Sequence, residues 1–314
     1  MTDHKPGVDD ATGTNFVGHE WDGIQELDTP LPRWWVYIFG ATVLFAAGYV
    51  VAYPAIPDTD GSLGWSSRGQ LTETLTAEAA ARAPTLNAIA ATPIEQLAEK
   101  PQLMRSAIEG GRAAFKVNCV QCHGAGAAGS PGYPNLNDDD WLWGGDIASI
   151  HTTIVHGIRS PGSDDARYSQ MPAFADILNR GQIRQLVAHV QAISGQGKPN
   201  AAGAQLFAEN CASCHGPEGK GMREQGAPNL TDGIWLYGGD RASLTQTIAK
   251  ARFGVMPHWS EKLDPVTIKM LAAYVHSLGG GEANPAPPAA KAVTAEAGTA
   301  ETASAQSGTA DVGA

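Results

Sequence analysis

Two stretches of the chain lie over each other almost residue for residue, "GRAAFKVNCVQCHG" at 111–124 and "GAQLFAENCASCHG" at 203–216. A chain that repeats itself this closely has to solve one packing problem twice. The correspondence continues with "YPNL" over "APNL", "WLWGGD" (141–146) over "WLYGGD" (235–240) and "MPAF" over "MPHW", and it ends in "IRQLVAHVQAI" and "IKMLAAYVHSL". Both final stretches place apolar residues at helical spacing. Asn179 and Asp264 stand ahead of them as helix caps, with Pro265 at a first helical position. The copies differ chiefly by an insertion around "SPGSDDARYS" in the first. The expectation is a mainly α chain with two helical domains in tandem, at residues 106–195 and 196–280.

All four cysteines fall within the repeat, in "CVQCH" (Cys119, Cys122, His123) and "CASCH" (Cys211, Cys214, His215). C-x-x-C-H is the attachment signal of a c-type haem. Two thiols a short turn apart can add to the two vinyl groups of one porphyrin, and the adjacent histidine then presents a ring nitrogen to the iron. A structural zinc site needs four ligands gathered by short loops, whereas these pairs lie in separate repeats. A redox-active dithiol pair expects a βαβ context, and the surrounding pattern is helical. Two covalently bound haem c groups are therefore expected, held by Cys119 and Cys122 and by Cys211 and Cys214, with His123 and His215 as proximal iron ligands.

Each iron has a sixth position, where a soft thioether favours the reduced state. Met171 and Met256 are the methionines at equivalent repeat positions, each followed by proline. They are the candidate distal ligands. Met222, in "GKGMREQG", has no counterpart in the first copy and reads as a loop residue. His151, His156, His189, His258 and His276 are weaker candidates for two-imidazole coordination; His151 and His156 face non-histidine positions in the second copy, and His189 faces Tyr274.

Residues 34–53, "WWVYIFGATVLFAAGYVVAY", carry no charge over a length sufficient for the ~30 Å hydrocarbon core. Trp34, Trp35, Tyr49 and Tyr53 mark its ends as interfacial aromatics do. The run starts behind an acidic stretch, and no small-residue cleavage pattern follows it, so it reads as an uncleaved single-pass transmembrane helix in the lipid bilayer. Lys5 and Arg33 precede it, and the next basic residue is Arg68, which places the amino terminus in the cytoplasm. Haem attachment to such motifs takes place outside the bacterial inner membrane, so the haem domains belong in the periplasm. A net charge of -11 without clustered Lys or Arg argues against nucleic-acid binding.

Residues 1–33 read as a polar, acidic cytoplasmic segment, and residues 54–105 as a periplasmic linker with helical parts. In the linker, "TPIE" suggests a capping box from Thr92 to Glu95. The Ala-, Pro- and Gly-rich residues 281–314 have little to bury and read as a disordered tail.

Together these features resemble the class I cytochrome c fold. In that family a glycine near the start of the first helix and an aromatic four residues on pack against the last helix, which matches Gly111 with Phe115 and Gly203 with Phe207. The resemblance also implies that the carbonyls of Pro134 and Pro228 orient the proximal histidines. The amino-terminal "GHEWDGIQELDTPLPRWW" (18–35) further resembles the di-haem subunit III family of cbb3-type cytochrome c oxidases. Departures are mild: "LDT" stands where two asparagines are common, the carboxyl tail is long, and one membrane helix is present where some members have two.

That resemblance implies an electron-transfer subunit with no catalytic residues of its own, working beside a mono-haem cytochrome c subunit and a catalytic haem-copper subunit that reduces oxygen. Its donor would be a soluble or membrane-bound cytochrome c. A freestanding anchored di-haem carrier would need the same domains but not "WDGI" or "PLPRWW". A di-haem peroxidase would leave one haem without methionine. Sequence order pairs Met171 with His123 and Met256 with His215, whereas the resemblance implies exchange, Met256 serving the His123 haem and Met171 the His215 haem.

Overall fold

A computed structural model describes residues 7–57 and 60–284. They fall into two units, Met1–Pro84 and Thr85–Ala314.

In the first unit, strands β1 (Phe16–Trp21) and β2 (Ile24–Leu27) form an antiparallel hairpin that the helical expectation did not include. Its signal is the Asp-Gly pair inside "WDGI": Trp21 faces Ile24, and both Asp22 (φ 48°) and Gly23 (φ 83°) take the positive φ that a type I′ turn demands. Helix α1 (Arg33–Ala52) follows. It has 20 residues, a mean hydropathy of 1.8 over its most apolar window, and no buried residue. An apolar helix ~30 Å long with none of its residues buried suits lipid rather than water as its surroundings. Helix α2 (Ser67–Ala91) contains Pro84, the last residue of this unit.

The second unit is built from the repeat. The first copy supplies α3 (Pro101–Asn118), α4 (Val120–His123), α5 (Ile147–His156) and α6 (Arg180–Ile193). The second supplies α7 (Ala201–Asn210), α8 (Ala212–His215), α9 (Arg241–Lys250) and α10 (Pro265–His276). The caps read from sequence are present. Asn179 accepts from the amides of Gly181 and Gln182 in a capping box with Gln182, and Asp264 accepts from those of Val266 and Thr267. Asp146 and Asp240, which close the two "GGD" segments, cap α5 and α9 in the same way.

Helices α6 and α10 bury the same pattern, Ile183, Leu186, Val187 and Val190 in one and Ile268, Leu271, Ala272 and Val275 in the other. This i, i+3, i+4, i+7 stripe makes one face of each helix apolar. The stripes pack across the repeat rather than within it. Helix α10 lies on α3 and α5 in a core with Phe115, Ile147, Ile150 and Ile154, while α6 lies on α7 and α9 in a core with Phe207, Leu244 and Ile248. Each fully buried Leu, Ile or Phe contributes about 1.5–3 kcal/mol, so the exchange of final helices is secured by the main hydrophobic contacts of both cores. The tandem order in sequence is thus a reciprocal arrangement in space.

The linker also enters the first core. Ile89, Ile94 and Leu97 are buried in it, on the end of α2 and on a short 3-10 helix, Ile94–Glu99. Thr92 does not form the expected capping box: its hydroxyl donates back to the carbonyl of Ala88, and Pro93 occupies the cap position without a side-chain bond. Lys269 of α10 closes the end of α2 instead, donating to the carbonyls of Ile89, Ala90 and Thr92 at 3.4, 2.8 and 2.7 Å. At the other end, residues 281–284 belong to the packed unit rather than to a disordered tail. The Glu282 amide donates to Gly145 at 2.9 Å, its carboxylate accepts from the Gly145 amide at 2.8 Å and pairs with Arg223, and Asn284 donates to the Glu95 carbonyl. The remainder of the proposed tail, 285–314, lies outside the described residues.

Candidate haem sites

Both C-x-x-C-H segments are single helical turns, α4 and α8, that follow a long helix directly. Cys119 and Cys211 are each the residue at which the preceding helix ends, so the two thiols of each motif flank one turn. All four cysteines are free. Burial, reinforced by Cys122, pushes the Cys119 thiol up to about 11, and burial with Cys214 does the same for Cys211. These are protonated thiols in apolar surroundings, not activated thiolates.

The histidines are held alike. His123 Nδ1 lies 3.2 Å from the Pro134 carbonyl, and His215 Nδ1 lies 3.1 Å from that of Pro228. Each carbonyl accepts from Nδ1–H, so Nε2 keeps its lone pair for a metal. Burial lowers the pKa of both rings, with the proline bond opposing it, which favours the neutral imidazole a ligand must be. Gly129 and Gly221 allow the proline segments this near: their amides donate to the carbonyls of His123 and His215, and a Cβ on either would strike the backbone around Pro134 or Pro228.

The methionines follow the exchanged helices. Met256 packs against the core that holds Phe115 and Cys119, and Met171 against the one that holds Phe207 and Cys211. The glycine contacts cross in the same sense. A Cβ on Gly111 would strike Met270 and Tyr274 of α10, and one on Gly203 would strike Gln185 and His189 of α6. Phe115 meets Tyr274 edge-on with 5.3 Å between ring centroids, and Phe207 meets His189 at 5.2 Å.

The other histidines are engaged elsewhere. His258 Nδ1 lies 2.8 Å from Ser160 Oγ, His276 Nε2 lies 2.7 Å from the Glu282 carbonyl, and His156 faces Asp165 at 3.9 Å. His151 sits half-buried on α5, and Met222 precedes a short 3-10 turn, Arg223–Gln225.

These residues fit a covalently held haem c. Each site offers two free thiols on one turn, a neutral imidazole with its outer nitrogen available, and an apolar wall. In addition, the buried side-chain polar atoms left without a partner among the described residues are Arg167 Nε and Trp235 Nε1, both donors. Buried donors seek acceptors, and the carboxylates of a bound haem would be groups of that kind.

Two arginines were not recognised from sequence, although the repeat carries their signal in "ARYSQMP" and "ARFGVMP". Arg167 donates to the Ser149 carbonyl at 3.2 Å and lies over the Trp143 ring at 5.5 Å. Arg252 repeats this with the Ser243 carbonyl at 2.8 Å and the Tyr237 ring at 4.7 Å. Each arginine stands four residues before its methionine and ties that segment to an aromatic of the "WLWGGD" or "WLYGGD" motif.

Residues 106–190 and 198–275 each match the family described as cytochrome c oxidase, cbb3-type, subunit III, and residues 13–60 match the N-terminal domain of cytochrome oxidase-cbb3, FixP. The cbb3-type cytochrome c oxidase subunit CcoP of Cereibacter sphaeroides is 52% identical over 290 residues, 90% of this chain and 98% of that protein. The FixP subunit of Azorhizobium caulinodans is 51% identical over 287 residues, 89% of this chain and 98% of the relative. That of Rhizobium meliloti is 49% identical over 290 residues, 90% of this chain and the full length of the relative. The repeat, its haem motifs and these likenesses over nine-tenths of the chain converge: it belongs to the CcoP/FixP family, subunit III of cbb3-type cytochrome c oxidases.

Proposed function

We propose that the chain carries two haem c groups, one on Cys119, Cys122 and His123 with Met256 as distal ligand, the other on Cys211, Cys214 and His215 with Met171. It passes electrons from a periplasmic or membrane-bound cytochrome c donor to the mono-haem and catalytic haem-copper subunits of a cbb3-type oxidase. The observation that carries this reading is the reciprocal packing, in which the first cysteine of each C-x-x-C-H motif, Cys119 or Cys211, packs against the same core as the methionine of the other repeat's Met-Pro segment, Met256 or Met171. The haem supplies reversible one-electron chemistry at iron when bound. The chain's residues do the rest: the proline carbonyls orient the imidazoles, the thioethers favour the reduced state, and the apolar cores keep water from the metal.

Oxygen chemistry belongs to a partner in this reading, because one membrane helix without histidine cannot assemble a haem-copper centre. Helix α1 anchors the chain with its amino terminus in the cytoplasm and the haem domains in the periplasm of the inner membrane. The exchanged pairing is tested by disabling one attachment motif. In a full-length Cys119→Ala, Cys122→Ala chain carrying only the second haem, Met171→Ala is expected to abolish the thioether spectrum, and Met256→Ala to leave it. The opposite result would establish pairing within each repeat. Isolation of the chain from native membranes without haem-copper subunits would overturn the oxidase assignment.

A further inference from the structure

Arg159 lies just after α5, in the segment that lengthens the first copy: fourteen positions separate Gly157 from Met171, whereas five separate the matching Ala251 from Met256. It has no counterpart in the second copy. Its backbone is left-handed (φ 51°), a conformation uncommon outside glycine and one that surrounding structure must hold. The main chain beside it supplies that hold. Ile158 and Met256 exchange both amide bonds, at 2.9 and 3.0 Å, while the Arg159 amide donates to the Arg167 carbonyl at 2.8 Å.

From this anchored position the guanidinium reaches both methionine segments. Nε donates to the Gly254 carbonyl at 2.6 Å, and a terminal nitrogen donates to the Ser169 carbonyl at 2.7 Å. Gly254 stands two residues before Met256, and Ser169 two residues before Met171. One side chain therefore binds the equivalent carbonyl in both copies. Its planar fork suits this, because the donors leave one rigid group in fixed directions. Phe253, next to Gly254, covers it with its ring centroid 5.7 Å away.

We propose that Arg159 is a positioning residue shared by both haem sites, fixing the two methionine segments against one another so that both thioethers are presented together. This rests on Met171 and Met256 being the distal ligands. A displacement on one side is then felt on the other, because the two carbonyls share one rigid donor and Met256 is further bonded to the residue preceding it. The first-copy insertion gains a role: it brings that donor to a place the second copy cannot fill for itself.

The test uses the full-length, haem-loaded chain and imidazole as competitor for the distal position, followed at each haem by visible spectra and reduction potential. Charged hydrogen bonds of this kind are worth enough that Arg159→Gln is expected to raise imidazole affinity about tenfold at both haems. Arg159→Lys, which retains the cation but loses the fork, is expected to restore part of the wild-type behaviour, and it serves as the readout should the glutamine variant fail to mature. Met171→Ala and Met256→Ala each open one haem and calibrate the signal. A change at one haem alone, or at neither, while both methionine variants respond, would refute the shared role and leave the ligand assignment standing. Silent methionine variants would overturn the ligand assignment and the shared role with it.

Discussion

Gly111, in the first copy of the repeat, lies directly beneath the carbonyl of Met270 in the second. The contact requires a residue without a side chain, since a Cβ would enter the backbone of α10. Gly111→Ala must therefore separate α3 from α10 or bend one of them. A loss of about 3 kcal/mol is expected, at the upper end for overpacking because backbone cannot rotate away. The consequence for function is local. Spectra should show disturbance at the haem on His123, whose core contains α10, and a smaller effect at the one on His215. Gly203→Ala should reverse the pattern through Gln185 of α6.

Lys269 closes a helix that the linker leaves open. Its ammonium meets three carbonyls at the end of α2, two of them within 2.8 Å. Replacement by methionine preserves the stem and removes the donors. The expected cost is about 1.5–3 kcal/mol, as for hydrogen bonds to a charged group. Hydrogen exchange should localise the loosening to residues 89–97, with the haem spectra unchanged.

The Asp264 carboxylate is held below its usual pKa by the Thr267 hydroxyl and by the amides of Thr267 and Val266. A folded-state pKa below the unfolded one favours the ionised form. The stabilisation is thus complete above the unfolded value of ~4 and is lost as pH falls through the lower folded value. At neutral pH, Asp264→Ala should cost about 1 kcal/mol of denaturant stability, and Asp264→Asn a few tenths. The gap between wild type and the asparagine variant should close on acidification, because asparagine does not titrate. A gap independent of pH would show that this carboxylate is not responsible.

Glu282 joins the end of the described chain to both copies, through the Gly145 amide in the first and Arg223 in the second. Glu282→Ala removes an acceptor from a part-buried amide and a partner from an arginine. Thermal unfolding of the haem-loaded chain should reveal a loss of about 1–2 kcal/mol. Arg223→Ala should produce less, because the Gly145 bond survives it.

Much of each site is legible along the chain. The C-x-x-C-H motifs and the Met-Pro dipeptides each have a local chemical signature that duplication makes easier to recognise, whereas the Pro134 and Pro228 carbonyls are pointed to by the family resemblance. The caps at Asn179 and Asp264 are local as well, since a cap bonds to amides two or three residues away. Thr92 misleads because its hydroxyl has a competing acceptor behind it, the Ala88 carbonyl, which only the finished helix presents. The hairpin around Asp22 and Gly23 was readable from its turn pair but was masked by the polarity of its flanks. Arg159 has no partner in the repeat, so internal comparison could not single it out.

What the sequence alone determined was the inventory: an apolar segment long enough for a bilayer, two C-x-x-C-H motifs, and a Met-Pro dipeptide in each copy of the repeat. How the helices of the two copies pack on one another was decided by tertiary structure. Helices α6 and α10 bury the same stripe at matching positions, so packing within a copy and packing across copies satisfy the same local chemistry. Contacts visible only in three dimensions separate them: Gly111 against Met270, Gly203 against Gln185, and Ile158 bonded to Met256. A repeat constrains what its copies are made of, while the surfaces on which they meet determine which half of one completes the other.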